Sequence, residues 1–109
     1  MNYEHISTES VEGFEIRFSV APEDTDPRGC FDHEFADEIV QKINDGVYDW
    51  FIARVSVYRD GVELAAEHLG GCCYEQATDF LECPYYDDMK TEALRAARAA
   101  VAKLSEGLA

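Results

Sequence analysis

The sequence predicts an α+β fold in which two long helices pack on one face of a small three-stranded sheet. Three patterns predict it: an Asp60-Gly61 turn between two runs rich in β-branched and aromatic residues, strict alternation over 14–20, and two stretches with helical spacing of apolar residues. The expected order is β-α-β-β-α-α. With 109 residues the chain is expected to form one domain, 1–109, whose residues 1–12 are a loosely ordered lead-in.

The first strand is predicted over 14–20, where apolar side chains alternate with polar ones at Phe14, Ile16, Phe18 and Val20. A loop rich in proline and acidic residues follows at 21–29. Asp32 is expected to cap a helix over 33–45, and Gly46 to end it. Apolar residues at three- and four-residue spacing predict one buried stripe on this helix: Phe35, Ala36, Ile39, Val40 and Ile43.

The hairpin at 50–70 is the clearest element. Asp60-Gly61 suits its two-residue turn because both central residues of such a turn need positive φ. Arg59 would then pair with Val62, and alternation would direct one set of side chains to the core: Phe51, Ala53, Val55, Val57, Val62, Leu64 and Ala66. The other face is expected to be solvated, with three cross-strand pairs: Arg54 with Glu67, Ser56 with Ala65, and Tyr58 with Glu63. At its open end lie three larger apolar residues, either covered by another segment or exposed as a patch: Trp50, Ile52 and Leu69.

Two helices are expected after the hairpin. A short one over 75–82 ends before Pro84, which separates it from the next element. The last helix is predicted from Asp87 to about Ser105, with an alanine-rich middle that allows close packing on a sheet.

Charge is the most unusual feature of the composition. The chain has 23 acidic residues against nine lysines and arginines, for a net charge of −14. Such a chain repels nucleic acid and anionic membranes and is attracted to basic surfaces. The carboxylates expected to contact a partner lie in the loop and the first helix: Glu23, Asp24, Asp26, Glu34, Asp37, Glu38 and Asp45. The alternative is that the acidity only supports solubility.

No catalytic motif, cofactor fingerprint or complete metal-ligand set is apparent, so neither enzyme activity nor a cofactor nor a metal is expected. The four cysteines lack the Cys-x-x-Cys spacing of redox and zinc sites. A zinc site is conceivable only from scattered ligands: Cys30, His33, Cys72 and Cys83. His68 lies close to Cys72 and Cys73 in sequence, but a buried histidine at the edge of the core is the simpler interpretation. Neither a secretory signal nor an apolar run of about 20 residues is visible, so a cytoplasmic protein of a prokaryotic host cell is expected.

The block ARVSVYRDGVELAAEHLGGCCYEQATDFL, together with the small size and the acidity, resembles small proteins of phages and mobile elements, including anti-CRISPR proteins and DNA-mimic inhibitors. The resemblance implies a non-catalytic protein that binds CRISPR effectors or other nucleic-acid-handling proteins at basic channels. The hypothesis is therefore an acidic inhibitor whose carboxylates occupy a basic nucleic-acid-binding site on a partner protein, with no direct binding of nucleic acid or membrane. The alternative is a non-catalytic phage-type accessory or structural domain that self-associates through its apolar patch.

Overall fold

The computed structural model describes residues 2–31 and 33–108, except for the side chains of residues 30, 33 and 105–108. Its elements follow the order β-β-α-β-β-α, with a 3-10 helix before each α-helix at Pro27–Cys30 and Ala77–Glu82. The strands and α-helices have these bounds: β1 Glu4–Val11, β2 Phe14–Pro22, α1 His33–Asn44, β3 Asp49–Arg59, β4 Val62–Tyr74 and α2 Pro84–Leu108.

The sheet is an antiparallel meander of four strands in the order β1-β2-β3-β4, so the prediction of three strands in the order β-α-β-β-α-α is wrong. The missed strand is β1, which occupies most of the segment expected to be a loose lead-in. It joins β2 through a two-residue turn in which Glu12 has φ 52° and Gly13 has φ 86°. Asp60 and Gly61 repeat this geometry, with φ 52° and 79°. β1 is polar because it is an edge strand with mostly exposed or half-buried side chains, and this composition conceals it from a search for apolar alternation.

Within the hairpin, β3 and β4 begin in the predicted register and then shift. Arg59 pairs with Val62 and Tyr58 with Glu63, as expected, but Val57 pairs with Ala65 instead of Leu64. Both irregularities therefore add one residue to β4: the first lies beside the turn at 63–65, and the second lies at 69–72, opposite 51–53 of β3. The predicted pairs of Arg54 with Glu67 and Ser56 with Ala65 are consequently wrong: these residues lie opposite His68 and Ala66.

The hydrophobic core lies between one face of the sheet and α2. The core-facing positions predicted for β2 and β3 are all buried: Phe14, Ile16, Phe18, Val20, Phe51, Ala53, Val55 and Val57. At its centre Phe80 is fully buried, with its ring 5.4 Å from that of Phe18 and 5.7 Å from that of Tyr74. On β4 the prediction is wrong for Val62, which is 59% exposed. It is also wrong for Ala66, which lies opposite Ser56 while Ala65 packs against the core. α2 is 25 residues long, but neither it nor another described helix is apolar enough to cross a membrane.

Helix α1 does not pack on the sheet, so the prediction that both long helices cover the same face is wrong. α1 packs instead against Pro27–Cys30, and the main core includes no described side chain from α1. The reason is that α2 covers the core face of the sheet. At about 1.5 Å per residue it extends for about 37 Å along that face. The molecule is elongated, at 58 × 25 × 22 Å, and its radius of gyration of 16.5 Å exceeds the ~13 Å usual for this length.

The end of α1 is as predicted. Gly46 adopts φ 77°, its amide donates to the carbonyl of Ile43 at 3.1 Å, and the amide of Val47 donates to that of Lys42 at 2.8 Å. These two bonds form the usual glycine-terminated helix end. The predicted cap, Asp32, lies outside the described residues.

Candidate protein-binding surface

Residues 23–49, here called the acidic arm, comprise the loop after β2, the 3-10 helix Pro27–Cys30, α1 and the connection to β3. The arm contains nine of the 23 acidic residues and two of the nine lysines and arginines. About a quarter of the chain thus carries half of its net charge of −14. All seven carboxylates predicted from the sequence to contact a partner belong to the arm.

Glu23 differs from the other six because it is half-buried and fixes the arm to β4. Its Oε2 accepts a hydrogen bond from the amide of Gly71 at 2.9 Å, and its Oε1 accepts one from the amide of Thr25 at 3.1 Å. These amides stabilise the charged form, chiefly that of Gly71, and lower the pKa of Glu23. Glu23 is therefore an anchor of the arm and not a free contact residue.

The next acidic residues organise the entry to α1. The amide of Arg28 donates to Asp26 Oδ1 at 3.0 Å, which caps the 3-10 helix at its Pro27 end. The Arg28 guanidinium donates to Asp37 on α1. The single arginine of the arm is thus already paired with a carboxylate.

On α1 the carboxylates lie on the exposed side of the helix. Glu38 pairs with Lys42, four residues later, at 3.3 Å, and this contact raises the pKa of Lys42. Gln41 donates to Asp45 at 3.0 Å, while Glu34 is exposed in the first turn. With two bases for nine acids, most carboxylates of the arm have no cation of the arm to pair with.

The other side of α1 presents apolar residues that the core does not cover. Phe35 is 51% exposed and Val47, just after the helix, is 50% exposed. Ile39, Val40 and Ile43 are half-buried, and of the predicted buried stripe only Ala36 is fully enclosed. The arm therefore combines an acidic side with a partly exposed apolar side, an arrangement in which carboxylates border contact area that a partner can bury.

The apolar residues at the open end of the hairpin were expected to be either covered by another segment or exposed as a patch. Trp50 is covered. Its indole Nε1 donates to the carbonyl of Thr25 at 3.0 Å, and its ring lies 5.9 Å from that of Phe31. Leu69 packs against the main core, and Ile52 is half-buried. The base of the arm thus lies over Trp50, and the three residues do not form the exposed patch considered for self-association.

Burial makes the thiols of Cys72 and Cys73 poor nucleophiles. Cys72 is buried, which raises its pKa to about 11, and burial also raises the pKa of Cys73. Tyr74 donates its hydroxyl to Cys83 Sγ at 3.2 Å. Among the described side chains no three His, Cys, Asp or Glu residues come together as a metal site, and those of Cys30 and His33 lie outside that set.

Sequence reasoning missed the way in which β2 and β3 place polar side chains together on the face of the sheet opposite the core. Arg17 pairs across the strands with Ser56, and Ser19 pairs with Arg54. The alternation over 14–20 was a sufficient signal for the direction of Arg17 and Ser19. The neighbour of this strand could not be deduced, because nothing local specifies which strand it pairs with.

The chain was compared with protein-family models, with curated proteins and with solved structures, and none of the three comparisons finds a match.

Proposed function

We propose that this protein is an acidic, non-catalytic inhibitor that binds a Lys/Arg-rich surface of a nucleic-acid-handling protein through the acidic arm. The carboxylates of the arm stand in for the phosphates of the nucleic acid, as in DNA-mimic and anti-CRISPR proteins, and a CRISPR effector is one such partner. The proposal places the protein in the cytoplasm of a prokaryotic cell, where such effectors act.

The observation that carries the proposal is the concentration of charge on an arm that the core leaves uncovered. Nine acidic residues and two basic ones share residues 23–49, and six of the seven predicted contact carboxylates are exposed. Phe35 and Val47, also exposed, add apolar area on the same arm. Charge of one sign steers the encounter with a basic partner, and burial of apolar area then prolongs the complex.

The proposed interface makes two demands on the partner. It must expose lysines and arginines at the spacing of a nucleic-acid channel, and it must accept an apolar helix side beside them. Because exposed charges are screened beyond about 10 Å at 0.1 M salt, the complex should weaken steeply as the ionic strength rises. Nucleic acid should compete with the protein for the same surface.

The test begins with capture of host proteins on the immobilised chain at 50 and 500 mM salt, followed by competition of each captured protein with its own nucleic acid. The triple variant Glu34→Gln, Asp37→Asn, Glu38→Gln removes three charges from α1 and should weaken binding by at least tenfold. A matched control removes three exposed carboxylates outside the arm: Glu75→Gln, Glu82→Gln and Asp88→Asn. Equal binding by the two variants, or binding unaffected by nucleic acid, would refute the proposal.

Self-association is the alternative function, and the exposed side chains of Phe35 and Val47 are the contact residues that it would use. Two copies that met through this side of α1 would bring two acidic arms together, and like charges would oppose the contact. Size-exclusion chromatography with light scattering distinguishes the two functions. A dimer that Phe35→Ser abolishes would support the alternative, whereas a monomer at high concentration would exclude it.

A further inference from the structure

The face of the sheet opposite the core carries a polar cleft of about 440 Å³, lined mainly by side chains of β1, β2 and β3. Two rows of paired residues cross its floor. His5, Ser19 and Arg54 form one row, and Thr8, Arg17 and Ser56 form the other. Two arginines and a histidine line this cleft, whereas Glu4 and Asp49 line the larger cleft at the end of the sheet. The cleft thus brings two arginines together on a strongly acidic molecule, with Glu15 as the one acidic residue among the described residues that line it.

The two arginines are held as a pair. Arg17 and Arg54 occupy diagonal positions of neighbouring strands, about 7–8 Å apart at the backbone. The guanidinium of Arg17 lies 4.0 Å from the centre of the Tyr58 ring, and that of Arg54 lies 5.6 Å from the centre of the Tyr3 ring. These cation–π contacts hold both guanidiniums over the tyrosine rings and leave N–H groups available for other acceptors.

Each arginine is also paired with a carboxylate at the rim of the cleft. Arg17 Nε donates to Glu15 at 2.6 Å, and Arg54 donates to Glu63, which also accepts from the Tyr58 hydroxyl at 3.1 Å. A guanidinium has five N–H donors, so these contacts leave donors on both arginines. The carboxylates hold the guanidiniums in place, and Glu15 is itself part of the lining of the cleft.

The floor of the cleft contains a hydroxyl group with no protein partner. Ser56 is 1% exposed, and its Oγ has no hydrogen-bond partner among the described residues. Its neighbour on the diagonal, Ser19, is 7% exposed. A buried hydroxyl without a protein partner costs stability, so an acceptor bound between the two arginines would stabilise it.

We propose that this cleft binds the phosphate or carboxylate group of a small anionic ligand between Arg17 and Arg54, with the Ser56 hydroxyl as a third donor. Both guanidiniums would donate charge-assisted hydrogen bonds to it, and the tyrosine rings would flank the rest of the ligand. A small anion fits better than a nucleic acid, because the net charge of −14 repels a polyanion over a long range but adds little cost for one or two charges. The site lies on the sheet and uses no residue of the acidic arm, so a failure of this proposal would not affect the proposed function of the arm.

The experiment is a titration of the ¹⁵N-labelled full chain with inorganic phosphate and, separately, with glutarate, read from amide and arginine Nε–H resonances. We expect saturable shifts at Arg17, Arg54 and Ser56 with at least one probe, and the stronger probe identifies the ligand class. Ser56→Ala should weaken binding about three- to tenfold, and Arg54→Gln by about tenfold or more. Arg95→Gln, which removes an exposed guanidinium from α2, is the matched control and should bind as the original chain does.

Several outcomes would overturn the site. They are shifts that do not saturate with either probe, equal shifts at Arg95 and Lys103, and unchanged affinity of the Ser56→Ala variant. Arg54→Gln could disturb the fold by releasing Glu63. The affinity of Ser56→Ala then tests the site, since this change removes only a hydroxyl without a partner. Tighter binding of a single-stranded oligonucleotide than of phosphate would refute the assignment to a small ligand.

Discussion

Replacement of Glu23 by glutamine should loosen the acidic arm from β4, and the size of the effect follows from two hydrogen bonds. Two backbone amides, of Gly71 at 2.9 Å and of Thr25 at 3.1 Å, donate to different oxygens of this carboxylate. Glutamine keeps one acceptor oxygen and turns its amide nitrogen toward the other N–H, so one bond to a charged group is lost. Such a bond contributes about 1.5–3 kcal/mol when buried, and we expect about 1–2 kcal/mol for the half-buried Glu23.

This loss corresponds to a fall in melting temperature of roughly 5–10 °C for a domain of this size. Chemical denaturation followed by circular dichroism measures the free energy of unfolding. Fluorescence of Trp50, the single tryptophan, follows the base of the arm, because its indole donates to the carbonyl of Thr25. Asp24→Asn is the matched control, since it removes one exposed charge from the neighbouring position.

The effect should also depend on pH in a defined direction. The pKa of Glu23 is lower in the folded chain than in the unfolded one, chiefly because of the Gly71 amide. Its stabilising contribution is therefore present above the unfolded pKa of about 4.3 and is lost as the pH falls through the lowered folded pKa. The difference between the original chain and Glu23→Gln should be full at pH 7 and small at pH 3. Equal stability of Glu23→Gln and Asp24→Asn at pH 7, or a difference that persists at pH 3, would refute the reasoning.

Three further predictions concern the core, the contact of Gly70 in β4 with Glu23, and the thiols. Phe80→Ala should cost about 3–5 kcal/mol in chemical denaturation because the ring is fully buried among other aromatic rings, whereas Val62→Ala at an exposed position should cost little. Gly70→Ala would place a Cβ 2.9 Å from Glu23 Oε2 and should destabilise by about 1 kcal/mol; a double-mutant cycle should show that Glu23→Ala relieves most of this cost. Alkylation of Cys72 by iodoacetamide at pH 8 should be slow in the folded chain and fast in urea, because burial raises its pKa to about 11; rapid labelling without urea would contradict this.

Local chemistry explains which elements the sequence predicted correctly. The end of α1 at Gly46 and the turn at Asp60-Gly61 need positive φ at residues that adopt it readily, so the sequence alone specifies them. The turn at Glu12-Gly13 has the same geometry but begins with a residue that rarely adopts positive φ. With that signal weak and β1 polar, the first hairpin was not predictable from its residues.

Long-range packing explains the errors. The added residues in β4 follow from how the strands fit together. No residue type in 63–65 marks the first one in advance, whereas the second coincides with Gly70-Gly71, where Gly71 adopts φ 68°. The apolar stripe of α1 had the spacing of a core helix, but periodicity specifies an apolar side and not what covers it. The length of α2 decided that question, because one 25-residue helix occupies the sheet and α1 packs elsewhere. The candidate surface was predicted from charge and stays a prediction, whereas the sheet cleft required the pairing of β2 with β3.

The distribution of ion pairs argues against acidity that serves solubility alone. Outside the arm, basic side chains of α2 pair with carboxylates of the first hairpin. Lys90 pairs with Glu9 on β1 at 2.9 Å, and Arg98 pairs with Glu12 in the turn between β1 and β2. The chain outside the arm has 14 acidic residues and seven basic ones, which give a net charge of −7 over 82 residues, whereas the arm carries the same −7 within 27 residues. Solubility would be served equally well by an even spread of this charge. The net negative charge per residue is instead about three times higher on the arm, where like charges repel one another and oppose compact packing. A surface that costs stability in this way is explained most simply by a partner that supplies the missing cations.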